Sequence, residues 1–163
     1  MVASTMVLRF AVPVLFFLLA GAVCAQEARV SKLAKGEFTV AIKPLDLEGA
    51  DADGGRGRMS IDKQITGDLV ATTRGQMLTA TTGTKGSAAY VAIEEVDGVL
   101  DGRRGAFVLH HRGVMDRGAQ DLSVAVVPDS GTGELAGIAG DFRIILEGGK
   151  HFYEFSYSLP ERD

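Results

Sequence analysis

Short segments of alternating apolar and polar residues, each ended by a turn signal, recur through most of this chain. The segment from Gly86 to Gly113, GSAAYVAIEEVDGVLDGRRGAFVLHHRG, shows the pattern most fully. Runs rich in Val, Ile, Phe and Tyr flank the dipeptides Asp97-Gly98 and Asp101-Gly102, which favour tight turns between antiparallel strands. We interpret the segment as a β-hairpin. No long stretch after the N-terminal region has helical periodicity, so the pattern predicts an all-β protein.

About eight strands are predicted in this way. One alternating run, from Met59 to Thr72, is interrupted at Gly67, where we expect a bulge or a bend. Gly148-Gly149 marks the turn of a last hairpin, and residues 134–138 form at most one helical turn. Because a closed sheet has no exposed edges, we predict a single closed antiparallel β-barrel. The strands are expected over residues 37–45, 59–72, 76–82, 88–96, 104–112, 122–128, 142–147 and 152–159.

The first 25 residues are typical of a secretory signal peptide. Arg9 precedes an apolar run, FAVPVLFFLLA, and small residues follow it, which predicts cleavage after Ala25. The run is too short for a good membrane span, although an uncleaved anchor is the alternative. We therefore expect a secreted or periplasmic protein with a signal peptide over 1–25, a polar leader over 26–35 and the barrel domain over 36–163.

Composition excludes several classes of function. Cys24 is the only cysteine and leaves with the signal peptide, so no disulfide or thiol chemistry is expected. The formal net charge of −4 and the absence of Trp argue against nucleic acid and anionic membranes as partners. Three histidines without metal-like spacing, and no nucleotide-binding or hydrolase motif in a suitable context, predict neither a metal nor a cofactor.

Lys63 stands out by its position. On an alternating strand it shares a face with Ile61 and Ile65, so a regular strand points its amine into the barrel, where it must be paired or deprotonated. There it would hold a carboxylate ligand or serve as a reactive amine. The structural alternative is a register shift near Gly67, or a lysine at the barrel mouth with its amine in water.

Glu94 and His111 are the other two candidates for acid–base chemistry. Glu94 shares a strand face with Tyr90, and in the interior it would pair with Lys63 or act as a general acid or base. His111 is in phase with Phe107, so it also points inward. The structural alternatives are a buried ion pair and a buried histidine bonded to the backbone or to a tyrosine.

Aromatic residues predicted to face inward offer a ligand-binding wall with polar tips. An eight-stranded barrel holds either its own side chains or one small ligand, so a filled interior is the alternative. The predicted ligand-binding residues are Tyr90, Phe107, His111, His151, Tyr153 and Tyr157.

Several segments together resemble a bacterial family known as domain of unknown function 3224. They include RMSIDKQITGDL, KGSAAYVAIEEV, GAFVLHHRG and KHFYEFSYSL, and they span most of the chain from about Gly36 to Leu159. The resemblance implies a barrel like that of allene oxide cyclase and no established activity. The chain departs from the family pattern at Val70, in place of an acidic residue, and at His110, in place of Gln.

The residues thus favour a monomeric or homodimeric exported barrel that binds a small apolar molecule. Two other functions are open. One is a cofactor-independent isomerase or cyclase that uses Glu94, Lys63 and His111, although a cyclase-like fold is not itself an indication of cyclase chemistry. The other is a structural or surface-interaction protein of the cell envelope, which an exposed apolar patch would favour.

Overall fold

A computed structural model describes residues 29–46 and 54–161 and shows a closed antiparallel β-barrel of eight strands. Each strand pairs with the next in sequence, and the last pairs with the first. This confirms the predicted fold class; the predicted signal peptide lies outside the described residues. The strands are β1 Arg29–Leu45, β2 Arg56–Gly67, β3 Leu69–Thr81, β4 Ala88–Leu100, β5 Arg103–Asp116, β6 Ala119–Val126, β7 Ala139–Glu147 and β8 Lys150–Pro160, with a 3₁₀ turn over Gly133–Leu135 before β7.

The barrel follows directly from the period-two pattern of the sequence. In β4, residues from Ala92 to Leu100 are alternately buried and exposed, as expected for a strand with one face toward a core. The inward phase of β2 includes Lys63 and that of β5 includes His111. The alternation of the sequence therefore gives the correct, inward direction for Lys63 and His111. Within the described residues, no helix is long and apolar enough to cross a membrane.

Two turn predictions were wrong in detail. The run from Met59 to Thr72 is not one strand, because the chain reverses at Gly67 between β2 and β3. Gly67 has φ +111°, and a Cβ there would lie 2.5 Å from the Lys35 carbonyl oxygen, so the site requires glycine. Asp97-Gly98 lies inside β4, and the β4–β5 turn uses Asp101-Gly102.

The predicted polar leader also needs correction. β1 begins at Arg29, within residues 26–35, and its first half pairs with β8 from Arg29↔Pro160 onward. The polar sequence of this segment does not exclude a strand, because Arg29–Leu33 pair with β8 through the backbone while their side chains remain exposed. This segment closes the barrel. The Gly148-Gly149 turn and the single helical turn are confirmed, the latter at Gly133–Leu135.

One end of the barrel, which we call the closed half, is filled by its own side chains. Phe142 stacks on Tyr153 with ring centroids 4.9 Å apart, and Phe155 stacks on Phe107 at 5.6 Å. Leu135, from the β6–β7 connection, is completely buried in the same cluster. Aromatic and aliphatic groups in such contact provide most of the hydrophobic stabilisation of a domain this size.

The opposite end, which we call the mouth half, is less completely packed. It contains the inward-facing residues that lie between the level of Lys63 and Glu94 and the barrel end with the β3–β4 turn, residues 82–87. Although Ile42, Leu122 and Leu146 have the inward phase of their strands, they are 48%, 41% and 62% exposed. Other apolar residues just inside the mouth, Ile61 and Ala92, are buried but lie outside the main core cluster. The two halves of the interior are therefore packed differently.

At the mouth, β7 lacks most of its pairing with β6, and β1 extends past the end of the β7–β8 hairpin. The β1–β8 register ends at Phe38↔His151, while β1 continues to Leu45. On the other side, β6 and β7 share the single pair Ala125↔Asp141. The hairpin tip is consequently held less firmly by its neighbouring strands than the middle of the barrel is.

Candidate functional site

A layer of four polar side chains crosses the interior between the closed half and the mouth half. We call Lys63, Thr73, Glu94 and His111 the polar layer; each is at most 4% exposed. They come from four consecutive strands, β2 to β5, whose register brings these inward positions together. Lys63, Glu94 and His111 therefore all face the interior, and the alternative of a register shift or a solvent-exposed amine at Lys63 does not hold.

Glu94 is the centre of this layer. One carboxylate oxygen, Oε2, accepts a hydrogen bond from Lys63 Nζ, and the other, Oε1, accepts one from Thr73 Oγ1. His111 Nε2 lies 2.9 Å from Oε2. The charge on a completely buried carboxylate is thus balanced by an ammonium group and by two further polar neighbours, as burial of a charge requires.

Thr73 was not among the predicted site residues, yet it has two roles in the layer. Its hydroxyl oxygen accepts a hydrogen bond of 2.9 Å from the Lys63 backbone N–H while its O–H donates to Glu94. The β2–β3 register includes Ile61↔Gly75 and Gln64↔Thr72 but no pair at Lys63, so this side chain replaces a ladder bond. The inward phase of Leu69 and Ala71 would have identified Thr73.

The electrostatics of Lys63 and Glu94 follow from their burial. Burial lowers the pKa of Lys63, and the Glu94 carboxylate offsets only part of that shift. For Glu94, burial alone raises the pKa, but the contacts with His111, Lys63 and Thr73 outweigh it and hold the pKa below its ordinary value. Lys63 Nζ also lies 5.4 Å from the centre of the Phe38 ring, close enough for a cation–π contact.

The predicted ligand-binding residues divide between the two halves. Phe107, Tyr153 and Tyr157 belong to the aromatic cluster of the closed half, where they contact other rings and are at most 4% exposed. The Tyr153 hydroxyl is further fixed by the Leu69 backbone N–H, which donates to it over 3.0 Å. Phe107 reaches a ligand only if the packed core opens, whereas Tyr153 also borders a cavity of ≈370 Å³ beside Gly67 and Tyr157 one of ≈280 Å³ beside Arg103. The six predicted residues therefore do not line one common cavity.

Tyr90 and His151 lie nearer the mouth. Tyr90 is half-buried, and its ring crosses Gly113, where a Cβ would be 2.1 Å from a ring carbon. It borders a cavity of ≈170 Å³ that Met115 and Leu122 also line. His151 lies at a separate cleft of ≈530 Å³ beside the β7–β8 turn, with its ring 5.1 Å from Phe38.

Several structural features limit what the site can hold. Among the described residues, no three His, Cys, Asp or Glu side chains converge in a way that could hold a metal ion. Neither His110 nor His151 belongs to the polar layer. His110 is exposed on the outer face of β5, and His151 lies at the cleft beside the β7–β8 turn. The layer can instead accept or donate protons and hydrogen bonds. Val70 and His110, the two departures from the family pattern, both lie on exposed outer positions away from it.

The fold and this layer define the class of protein: a small closed antiparallel barrel whose interior is divided by a buried Lys–Glu–His cluster. Comparison with known proteins then gives the family. The family described as "Protein of unknown function (DUF3224)" matches residues 34–157, and the chain belongs to it.

A solved structure shows the same architecture. The crystal structure of a protein of unknown function from the DUF3224 family of Shewanella oneidensis MR-1 is 45% identical and superposes with a TM-score of 0.73. The match covers 85% of this chain and 100% of that one. Comparison with curated proteins gives no match.

Proposed function

We propose that this protein binds a small, largely apolar molecule in the mouth half of its barrel. One observation carries the proposal: three apolar side chains with the inward phase, Ile42, Leu122 and Leu146, remain substantially exposed at the mouth, whereas in the closed half Leu100 and Leu159 are buried, although Val30 there is 49% exposed. Exposed apolar surface in a concave, partly polar setting is typical of ligand sites.

The available space favours a small ligand. The cavity beside Tyr90, Met115 and Leu122 measures ≈170 Å³, which is below the roughly 300–1,000 Å³ of drug-binding pockets. A short alkyl chain or a single ring is the appropriate size. The polar layer lies further inside, with Glu94 and His111 on the same strands as Tyr90 and Gly113, and one end of such a molecule reaches it when the Tyr90 ring moves aside.

The interrupted ladder suggests how a ligand enters. Leu146 lies level with the last β1–β8 pair, since its partner His151 pairs with Phe38, but β6 and β7 pair only at Ala125↔Asp141. Because few backbone hydrogen bonds join β6 and β7, these two strands can separate at the mouth at lower cost than any central strand pair.

Binding of 1-octanol, followed by amide chemical shifts, tests the proposal. We expect perturbations around Tyr90, Met115 and Leu122 and none around Leu135 in the closed half. The variant Leu122→Lys places a charge at the mouth and should abolish binding. Val99→Lys is the matched control, because Val99 is similarly exposed but lies on the outer face of β4. Perturbations that are unaffected by Leu122→Lys, or centred on the outer face, would refute the mouth as the site.

A second candidate is an enzyme that uses the polar layer for acid–base catalysis without a cofactor. It is favoured by the contact of three titratable groups, Lys63, Glu94 and His111, in a buried site. Once a turnover is detected, Lys63→Met, Glu94→Gln and His111→Gln should each reduce it at least about a hundredfold, as loss of a general acid or base does. Turnover that survives all three substitutions would leave binding as the function.

A third candidate, association through the outer surface, is supported by an apolar patch on β3 and β4. Leu78 pairs with Val91, and Ile93 lies next on the same outer face; all three are more than half exposed. Sedimentation of the wild type against Ile93→Ser tests it. A dimer that the substitution dissociates would support the patch as an interface, and a monomer at all concentrations would exclude self-association through it.

The proposed setting is outside the cytoplasm, since the sequence of residues 1–25 has the features of a signal peptide. The mass of the protein recovered from separated cell fractions tests this. A periplasmic or extracellular form that begins at Gln26 would support export, and a cytoplasmic form that retains Met1 would contradict it.

A further inference from the structure

His111 differs from the rest of the polar layer because one of its ring nitrogens, Nδ1, has no hydrogen-bond partner within the described part of the chain. The side chain is 3% exposed, yet neither ring nitrogen has a hydrogen-bond partner of good geometry. Nε2 lies 2.9 Å from Glu94 Oε2, close enough for an electrostatic contact with the carboxylate, whereas no ion pair or hydrogen bond reaches Nδ1 from the described residues. Buried polar atoms are otherwise nearly always paired, so this residue calls for an explanation.

The neighbouring carboxylate determines which nitrogen carries the proton. Ionised Glu94 has only lone pairs to offer, and an unprotonated Nε2 at 2.9 Å would face it with another lone pair. A proton on Nε2 turns that repulsion into attraction. In a neutral imidazole Nδ1 is then the acceptor, and it is this buried nitrogen that lacks a donor.

The net charge of the layer indicates what kind of donor suits it. Lys63 and Glu94 are in direct contact and their opposite charges cancel, and they are the charged groups of the layer that face His111. A ligand carboxylate would be repelled by Glu94, with no unpaired cation in the layer to offset the repulsion. A ligand ammonium group would be repelled by Lys63. A neutral O–H or N–H meets neither penalty.

We propose that the mouth selects small apolar molecules that carry a neutral hydrogen-bond donor, with an alcoholic or phenolic hydroxyl as the typical case, and that His111 Nδ1 accepts that hydrogen bond. This inference rests on the proposed function. Tyr90 lies on the route, because its ring covers Gly113, the inward position next to His111 on the mouth side. Because residue 113 is glycine, no β5 side chain covers His111 at this position. The Tyr90 ring covers it instead, and a ligand must displace that ring.

Affinity for three matched eight-carbon probes tests the selection in the unmodified protein. We expect 1-octanol to bind about tenfold more tightly than 2-octanone, which has no donor, and than octanoate, since an unpaired buried acceptor is costly. Equal affinity for all three would overturn the inference and leave the proposed function intact. Tightest binding of octanoate would show His111 as a donor and would also overturn it. If none of the three binds, both proposals fall.

A spectroscopic measurement tests directly which ring nitrogen of His111 carries the proton. Long-range ¹H–¹⁵N correlation of the histidine rings should show His111 as the neutral tautomer protonated at Nε2, and 1-octanol should move its Nδ1 resonance. His110, exposed on the outer face, is the internal control and should not respond. A proton on Nδ1, or no change on saturation with 1-octanol, would contradict the proposal. His111→Gln should abolish the preference for 1-octanol, whereas His110→Gln should preserve it.

Discussion

The same local device occurs in both halves of the barrel, where a tyrosine ring lies across the glycine directly opposite it on the neighbouring strand. Tyr153 pairs with Gly36 in the closed half, and Tyr90 pairs with Gly113 in the mouth half. Tyr153 is 1% exposed and its hydroxyl is bonded to the backbone of Leu69. Tyr90 is half-buried, and within the described residues its hydroxyl has no such bond. The same geometry thus has a hydrogen-bonded, buried ring at one end and a half-buried ring without that bond at the other.

This contrast indicates how the barrel separates stability from function. The closed half contains the stacked rings and the buried leucines that hold the fold together. The mouth half leaves apolar side chains exposed and its ladder incomplete. Regions of low local stability are where proteins place motions needed for binding. The following predictions test whether the two halves differ as much as their packing suggests.

The largest effect is expected from removal of a ring in the closed half. Phe155 is completely buried and contacts the rings of Phe107, Phe142 and Tyr157. Phe155→Ala should lower the free energy of unfolding by about 4 kcal/mol in a urea titration, because the lost contacts leave a cavity. Tyr90→Ala is the counterpart in the mouth half and should cost about 1 kcal/mol. Equal costs would remove the distinction between the halves.

Breaking the polar layer should cost slightly less. Glu94→Ala leaves the Lys63 ammonium buried without its carboxylate, which should lower the free energy of unfolding by about 3 kcal/mol. Glu95→Ala is the adjacent control on the outer face, with an expected change within about 0.5 kcal/mol. If both variants unfold at the same urea concentration as the wild type, the ion pair does not contribute to stability.

The contribution of Glu94 to the free energy of unfolding should decrease as the pH falls. Its pKa in the folded protein is held below the ordinary value of 4.5, so the folded state favours the ionised form. That stabilisation is complete above about pH 5 and is lost as the pH falls through the folded pKa. The difference in unfolding free energy between the wild type and Glu94→Gln should therefore be constant near neutrality and shrink toward pH 3. A difference that does not change over this range would mean that the pKa of Glu94 is the same in the folded and unfolded states, and a difference that grows toward pH 3 would mean that folded Glu94 stays protonated.

Much of this architecture could be predicted from the sequence because alternation is a direct physical signal. In a strand of period two, the phase of Ile61 and Ile65 fixes the direction of Lys63 between them, and the structure confirms it. The errors arose where backbone contacts decide the outcome. Asp97-Gly98 has the chemistry of a turn but lies in a strand whose partners continue past it, from Val96↔Phe107 to Val99↔Arg104.

The division of the interior into two halves could not be predicted in the same way. Alternation shows that Tyr90 and Tyr153 both face inward, but it does not show which of them is covered by neighbouring strands. That depends on strand stagger and on the insertion of Leu135 from a connection that has no strand pattern. The unpaired nitrogen of His111 likewise follows from atomic positions that no residue pattern reports.

The smallest expected effect comes from removing the hydroxyl groups of Tyr153 and Tyr90. These substitutions compare the two halves of the barrel without changing the packing of the rings. Tyr153→Phe keeps the ring but leaves the buried N–H of Leu69 without its acceptor, so we expect a loss of about 1–2 kcal/mol in unfolding free energy. Tyr90→Phe removes a hydroxyl with no partner among the described residues and should change stability by less than about 0.5 kcal/mol. Hydrogen exchange gives a second measure: the Leu69 amide should exchange faster in Tyr153→Phe and at the wild-type rate in Tyr90→Phe. If Tyr90→Phe were the more costly variant, the Tyr90 hydroxyl would be a structural anchor, and a ligand could not displace this ring without opening the fold.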